Sequence, residues 1–548
     1  MSVGNGLGHA ISGRRWVRAV MLALSGLLMG VGVTFPTVGF VAWVALAPAI
    51  AVFLTLARED GFSWRRLYGA GLLYSYSFSL VIFHWFWYMY PLDFTGLSRA
   101  GGLGVILLAW LGLSALQSMV TALIPLALRA LMRVSVCRRY RILPVVLLAA
   151  LFCLREWGQT HFWTGVPWGR LALSQSALPL MLQPAQWFGS YGITFVLVLV
   201  NGLIALMLLQ PERLCRPGLI ALCTMLLWTG SGAALLARAE RAQDADTVRT
   251  AVIQGNIGSL YKWDISMAES FRVYLDLSVE AAKRGAELIV WPETAIPTDV
   301  GEVASFRNEL SDLAETYEVT ILVGAFASDG EGREYNAVYT VLPDGSWSPE
   351  YYAKRRLVPF GEYVPMRSFF TTVAPVLGEI SMLAEDLTPG VDAAVSDTPV
   401  GRLGSLICFD TIYEALARDS VRDGAQLLCV STNDSWFFDS AATEMHLAQS
   451  RLRAVETGRA VVHAATTGAS ALILPTGEIA ARLPLFCAQV MYVEAPLRDG
   501  QTLYTRVGNA FVYVCLALCV AVAAVGVAEW GMTRRGEKSR HRDGTDHG

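Results

Sequence analysis

The stretch Glu287-Leu288-Ile289-Val290-Trp291-Pro292-Glu293-Thr294-Ala295-Ile296-Pro297 runs a block of apolar residues into a proline and then a carboxylate. A short apolar run closed by proline reads as a buried β-strand, because proline cannot donate to the next rung of a ladder. Glu293 therefore stands where a strand ends, the usual place for chemistry in a layered fold. Gly404-Ser405-Leu406-Ile407-Cys408-Phe409-Asp410 repeats the pattern with a thiol at the strand end. Further strands are expected at 248–254, 319–326, 336–341, 426–431, 460–466 and 470–474, and helical periodicity fills 267–284, 303–316, 412–422 and 443–456. Strands alternating with helices specify an α/β layered domain. Pro343-Asp344-Gly345 and Pro475-Thr476-Gly477 supply turn chemistry at two of its hairpins.

Outside this domain the chain changes character. Of its 548 residues 54% are hydrophobic and only 16% charged, with a mean hydropathy of +0.44. Soluble domains carry about 25% charged residues, so a purely soluble protein is excluded. Residues 1–240 hold 17 Arg, no Lys and 6 acidic residues, whereas 241–505 hold 20 basic and 36 acidic residues. Such asymmetry implies two environments. The basic residues sit at the edges of apolar runs and form no patch, so no nucleic-acid partner is expected.

A bilayer core about 30 Å thick needs about 20 apolar helical residues to cross it. Eight runs fit, near 16–34, 40–57, 67–90, 103–132, 142–157, 187–210, 217–237 and 507–530. The fifth is the shortest and ends on Arg155 and Glu156. Loop arginines gather on one side, from Arg14 and Arg15 through Arg138 and Arg139 to Arg213 and Arg216, and Arg534 and Arg535 of the tail join them. Cytoplasmic loops attract such residues, so the expected order is a transmembrane domain with seven spans at 1–240, an extracytoplasmic domain at 241–505, an eighth span at 506–533 and a cytoplasmic tail at 534–548.

Within the outer segment, Cys408, Cys429 and Cys487 form no disulfide framework, being odd in number and irregular in spacing. A thiol becomes a nucleophile when a nearby base or cation favours its thiolate. Glu293 is a candidate for that base, and a lysine ammonium aimed at a developing oxyanion would add electrostatic stabilisation. Lys354 stands in Tyr351-Tyr352-Ala353-Lys354-Arg355-Arg356 of a chain with 39 Arg and only four Lys. A lysine kept beside two arginines marks a site that wants a compact ammonium, with Arg355 read as a solvated surface cation. Taken singly, each candidate also has an ordinary structural role: a packed core thiol, a strand-end cap, a surface charge. The seven His form no ligand-spaced cluster, so neither a metal nor another cofactor is expected.

As a set these motifs resemble a known family. Trp291-Pro292-Glu293, then Lys354 with Leu357-Val358-Pro359-Phe360-Gly361-Glu362 behind it, then Ile407-Cys408, is similar to the apolipoprotein N-acyltransferases, a membrane-bound branch of the nitrilase superfamily. Gln254-Gly255-Asn256-Ile257 with Lys262-Trp263, Thr432-Asn433-Asp434 with Trp436-Phe437, His446 and Gln449 ahead of 451–458, and the 162–168 loop match as well. The likeness spans nearly the whole chain. It implies a polytopic α-helical membrane domain carrying an extracytoplasmic nitrilase-like α-β-β-α sandwich, with catalytic Glu293, Lys354 and Cys408. Glu362, the Phe409 backbone N–H and Asp410 are implied as supporting groups. The chain departs where Phe409 and Asp410 stand in place of the family's usual Tyr and Glu. Arg355 and Arg356 likewise occupy positions where other members often carry His.

The implied activity moves an acyl chain from a membrane phospholipid, through a Cys408 thioester, to the N-terminal amine of a diacylglyceryl-cysteine lipoprotein. The implied setting is the outer face of the inner (cytoplasmic) membrane, with phospholipid, diacylated lipoprotein and the bilayer as partners. Two other readings stay open at this point: a membrane-tethered amidase with water as acceptor, and a transporter or assembly protein with an inactive outer domain. A transporter would carry ionisable groups inside its spans, whereas His84, Asp93 and Glu156 fall near predicted span ends. The loop 361–385, with Phe369, Phe370 and Met382, reads as a bilayer-contacting segment.

Overall fold

The computed structural model describes residues 7, 10–11, 13–59, 61, 63–92, 96–161, 165–241, 246–258, 265–373 and 386–543. The expected Lys262-Trp263 pair, Asp93, Met382, residues 374–385 of the loop and the 162–164 part of the loop motif lie outside them. Helices occupy all eight apolar runs. Among the described residues, six are long and apolar enough to cross a membrane: Arg15–Thr34, Pro36–Arg58, Arg99–Met132, Ser190–Leu209, Cys215–Ala239 and Ala510–Arg534. The remaining two fall short for visible reasons. Trp64–Ile82 is rich in serine and gives way at Phe83 to the 3₁₀ turn His84–Met89, and Leu143–Gly158 has only 16 residues. Those serines face neighbouring helix rather than lipid, Ser75 Oγ donating to the Ser118 carbonyl at 3.1 Å.

Breaks in the spans are satisfied internally, as a bilayer demands. The second span is interrupted near Leu46, where the Asn201 side chain accepts from the Leu46 and Ala47 N–H groups at 2.9 Å and donates to the Ala42 carbonyl at 2.8 Å. Leucines on the outward face of Cys215–Arg241, among them Leu219, Leu222 and Leu227, are exposed, as a lipid-facing surface requires. Glu156, read as lying near a span end, is buried and accepts from the Leu171 N–H at 2.9 Å and Thr194 Oγ1 at 2.8 Å.

Among the described residues, the α/β domain is built from two sheets. The first has seven strands, in the order Gln489–Pro496, Thr247–Gln254, Leu288–Val290, Thr320–Ser328, Glu334–Val341 and Tyr352–Ala353, with Ile296–Asp299 also pairing to Thr320–Ser328. The second has six, in the order Ile479–Arg482, Ala471–Ile473, Val461–Ala465, Leu427–Thr432, Gly401–Ile407 and Ser396–Thr398. Central strands are parallel and edges antiparallel in both. Val252, Leu288, Val290 and Leu322 of the first sheet pack on Leu403, Ile407, Leu427 and Val462 of the second. Helices Met267–Lys283 and Ala304–Tyr317 cover the free face of the first sheet, and Glu414–Arg422 and Ala441–Thr457 that of the second. The order α-β-β-α follows.

The helix layer over the second sheet is also the seat on the membrane helices. One apolar core runs from Leu406, Leu428 and Val430 through Leu416 and Leu452 to Ile193 and Leu197. A buried polar latch crosses the same boundary. Arg170, in the loop after the fifth span, pairs with Glu414; Tyr191 Oη donates to Glu414 Oε1 at 2.6 Å, and the Ser190 N–H donates to Glu456 Oε1 at 2.7 Å. Burial favours the neutral form of Glu414, but Arg170, Arg453 and the Tyr191 hydroxyl outweigh it and hold the carboxyl down at about 2. A depressed carboxylate stabilises above its ordinary range and loses that contribution as pH falls through the folded value. Glu414→Gln, which strands Arg170 without its partner, is expected to cost about 3–5 kcal/mol. Thermal unfolding in detergent should show the loss near neutral pH and its shrinkage toward pH 2.

Candidate active site

Local backbone chemistry brings the three candidates to one cleft at the sheet ends. Leu288–Val290 closes at Trp291, whose indole Nε1 donates to Ser278 Oγ at 2.8 Å and whose carbonyl accepts from Ser431 Oγ at 2.9 Å, tying the two sheets together. The next two residues cross the neighbouring strand at Gly324, where a Cβ would come within 2.0 Å of the Pro292 carbonyl oxygen. Only glycine lets the Glu293 turn approach so closely. Cys408 follows Gly401–Ile407 and opens the 3₁₀ turn Cys408–Ile412 with φ of 46°. A non-glycine residue in the left-handed region is strained, and such strain collects at functional sites.

Glu293, Lys354 and Glu362 form one buried charge cluster. Lys354 Nζ lies 2.8 Å from Glu293 Oε1 and 2.9 Å from Glu362 Oε2, its side chain only 1% exposed. Asn336 Nδ2 donates to Glu293 Oε1 and Glu362 Oε1, both at 2.7 Å. The Asn433 N–H donates to Glu293 Oε2, and the Val358 N–H to Glu362 Oε2, each at 2.8 Å. Burial opposes the Lys354 charge, yet Glu293, Glu362 and Cys408 outweigh it and hold the ammonium well above the ordinary lysine value. Burial and the Glu293 carboxylate push the Cys408 thiol up, and Lys354 pulls against them. A thiol kept protonated at rest needs a base at hand when it attacks. Phe409 is the second residue of its turn, where leading N–H groups lack partners within the turn and remain available to an oxyanion.

Asp410 points elsewhere. It accepts from Tyr352 Oη and the Arg356 N–H at 2.8 Å and from the Ile407 N–H at 3.1 Å, so it clamps the Lys354 segment to the strand that ends at Cys408. Burial raises its carboxyl to about 6 against the pull of Lys354 and these donors. Arg355 is not the free surface cation expected: its Nη2 pairs with Asp419 Oδ2 at 3.2 Å, and its side chain is 18% exposed. Arg356 is exposed and lies over the Tyr413 ring, 5.0 Å from its centroid.

Linear spacing also concealed a group that the fold assembles. One ligand-type atom each from Cys408, Asp434 and His446 lie within 4.8 Å of one another. His446 Nδ1 is 2.7 Å from Asp434 Oδ1, and its Nε2 is 3.0 Å from the Cys408 carbonyl oxygen. Trp168 stacks on it at 5.9 Å and Phe437 meets it edge-on at 6.1 Å between ring centroids, and Trp85 lies edge-on to Phe437 at 5.2 Å. Aromatics of the membrane helices' loops and of the α/β domain thus make one wall. Asn336 and Tyr352 were not singled out from sequence; a polar residue on an otherwise apolar strand was the available signal.

Residues 249–504 match the family model described as carbon-nitrogen hydrolase, and residues 25–203 match that of the apolipoprotein N-acyltransferase N-terminal domain. A mutant amidase of the nitrilase superfamily from Nesterenkonia AN1, a solved structure, aligns with 49% of this chain and 97% of its own at 18% identity and a TM-score of 0.38. The apolipoprotein N-acyltransferase of Gloeobacter violaceus is 30% identical over 96% of this chain and 97% of its own. That of Geobacter metallireducens is 31% identical over 92% of this chain and 94% of its own. With such identity sustained from the membrane helices through the outer domain, the chain belongs to the apolipoprotein N-acyltransferase family.

Proposed function

We propose that this multi-pass membrane protein transfers an acyl chain from a phospholipid to the α-amine of a diacylglyceryl-cysteine lipoprotein, with Glu293, Lys354 and Cys408 as its catalytic residues. The observation that carries the reading is the buried Glu293–Lys354–Glu362 cluster acting on a thiol in a left-handed strand-end turn. Cys408 Sγ attacks the ester carbonyl of the donor while Glu293 takes the thiol proton. Lys354 and the Phe409 N–H face the developing oxyanion. The C–O bond then breaks, Glu293 protonates the departing lysophospholipid oxygen, and a thioester remains. In the second half-reaction the lipoprotein amine attacks, the Cys408 thiolate leaves, and the amine's proton passes by way of Glu293 to the thiol. Each half uses one base twice, as acceptor and as donor.

The seat of the outer domain on membrane helices supports donors and acceptors that are both lipid-anchored. Residues 1–240 and 506–533 are read as the spanning parts, 241–505 as the catalytic domain outside the inner membrane and 534–548 as the cytoplasmic tail. A cysteine introduced near residue 540 is expected to resist an impermeant thiol reagent in intact cells, while one on the surface of 241–505 reacts; the reverse would invert the topology.

The reaction is tested by loading the enzyme from phospholipid, removing free lipid, and adding a synthetic diacylglyceryl-cysteine peptide. The expected result is loss of the acyl mass from protein and its gain as amide on peptide, much faster than release to water. Equal rates with and without peptide would favour the amidase alternative.

A further inference from the structure

His446 lies on helix Ala441–Thr457, fully buried, behind the strand end that carries the thiol. Hydrogen-bond inventory decides its protonation. Its Nε2 is 3.0 Å from the Cys408 carbonyl oxygen, which can only accept. Thr411 Oγ1 stands 2.8 Å from the same Nε2 and donates its single proton to that carbonyl at 2.8 Å, so it cannot also protonate the ring. Nε2 therefore carries hydrogen. On the other edge, Nδ1 is 2.7 Å from Asp434 Oδ1. That oxygen already accepts from Thr432 Oγ1 at 2.9 Å, so it too is an acceptor. Nδ1 carries hydrogen as well.

Charges around the ring agree. Asp434 faces it from the loop after Leu427–Thr432, Cys408 from its own turn, and Glu293 adds a negative potential. His463, from the strand Val461–Ala465, lies 5.3 Å away between ring centroids; burial lowers its basicity, and it brings no competing cation.

We propose that His446 is a positioning residue of the acyl transfer, held as an imidazolium between Asp434 and the Cys408 carbonyl; this rests on the reading of Cys408 as nucleophile. The contacts form a chain. Asn433 donates its N–H to Glu293 Oε2, the next residue Asp434 takes His446, and His446 holds the backbone of Cys408 in its left-handed turn. The separation of base and thiol is thereby set through one ring. With both nitrogens protonated, His446 has no lone pair to offer a metal ion.

The test uses the full-length enzyme in micelles with ¹⁵N-labelled histidine. His446→Gln identifies the resonance by its disappearance. At about pH 7, where an unperturbed imidazole is mostly neutral, both His446 nitrogens are expected in the protonated range with attached hydrogens. A neutral tautomer overturns the proposal. Single-turnover acylation, counted per titratable Cys408 thiol, is expected to fall about 10²-fold in His446→Phe with the half-saturating phospholipid concentration unchanged, and to recover in part in His446→Gln, which keeps one donor. A wild-type rate in His446→Phe also overturns it. Failure of wild-type Cys408 to acylate would sink the proposed reaction instead, while leaving the nitrogen signature readable.

Discussion

Glu293→Gln is expected to keep the fold and to slow acyl-enzyme formation by about 10²–10⁴, the range a positioned general base contributes. Glutamine preserves the shape, and its carbonyl oxygen can still accept the Asn433 N–H now bound to Oε2 at 2.8 Å. Its amide nitrogen, however, must then face Lys354 Nζ and Asn336 Nδ2, which stand 2.8 and 2.7 Å from Oε1 and are both donors. Lys354 keeps Glu362 as a partner at 2.9 Å, so the ammonium is not stranded. What is lost is the acceptor for the thiol proton. Stopped acylation assays with a fluorescent phospholipid donor should report a lower rate constant with binding of the donor little changed.

Lys354→Arg is the second large effect. The ammonium fills a fully enclosed space between two carboxylates, and a planar guanidinium is bulkier and cannot bring one point charge to both at 2.8 and 2.9 Å. Misplacing a donor for the oxyanion costs about 10²–10³ in rate. Lys354→Met goes further: it leaves Glu293 and Glu362 buried together without a cation, and removing one partner of a buried pair costs about 3–5 kcal/mol. Arginine should therefore fold and acylate slowly, whereas methionine should also lower the unfolding temperature. Arg355→Lys makes the control. Its pair with Asp419 is partly solvated, at 18% and 33% exposure, and such pairs contribute about 0–1 kcal/mol. Equal rates in wild type and Lys354→Arg would reduce Lys354 to a generic positive charge.

Much of the architecture was legible because it rests on short-range patterns. Continuous apolar runs marked the central strands, Glu293 and Cys408 stand where such a run breaks, and Lys354 stood out as a lysine in an arginine-rich chain. The strands that went unseen are edges or short insertions: Ile296–Asp299, Tyr352–Ala353, Ser396–Thr398, Ile479–Arg482 and Gln489–Pro496. The last mixes exposed and buried residues instead of forming an apolar run, so its half-solvated face diluted the signal. Contacts between distant segments left no trace in one sequence. Asn336 reaches Glu293 across 43 positions and Tyr352 reaches Asp410 across 58. His446, quoted only as a motif match, lies 3.0 Å from the Cys408 carbonyl oxygen, with Asp434 2.7 Å from its other ring nitrogen. In the membrane part, the serines of Trp64–Ile82 and the brevity of Leu143–Gly158 explain why two of the eight apolar runs make weaker spans. Their polar atoms are satisfied by neighbouring helices, which hydropathy alone does not register.

The replacement of the family's usual Tyr and Glu by Phe409 and Asp410 has a structural answer for the second residue. Asp410 accepts three donors from Tyr352, Arg356 and Ile407, so the shorter carboxylate is fully used as a clamp between strand and loop. Phe409 packs edge-on against Tyr413, with ring centroids 5.6 Å apart, and needs only its backbone for the proposed oxyanion contact.

The central claim, a thioester on Cys408, is tested most directly by intact-mass measurement of the purified enzyme after incubation with a phospholipid of defined acyl chain. The account predicts one added acyl group on wild type, removed by hydroxylamine, retained in Cys429→Ala and Cys487→Ala, and absent in Cys408→Ala. An acyl adduct that persists in Cys408→Ala would contradict it.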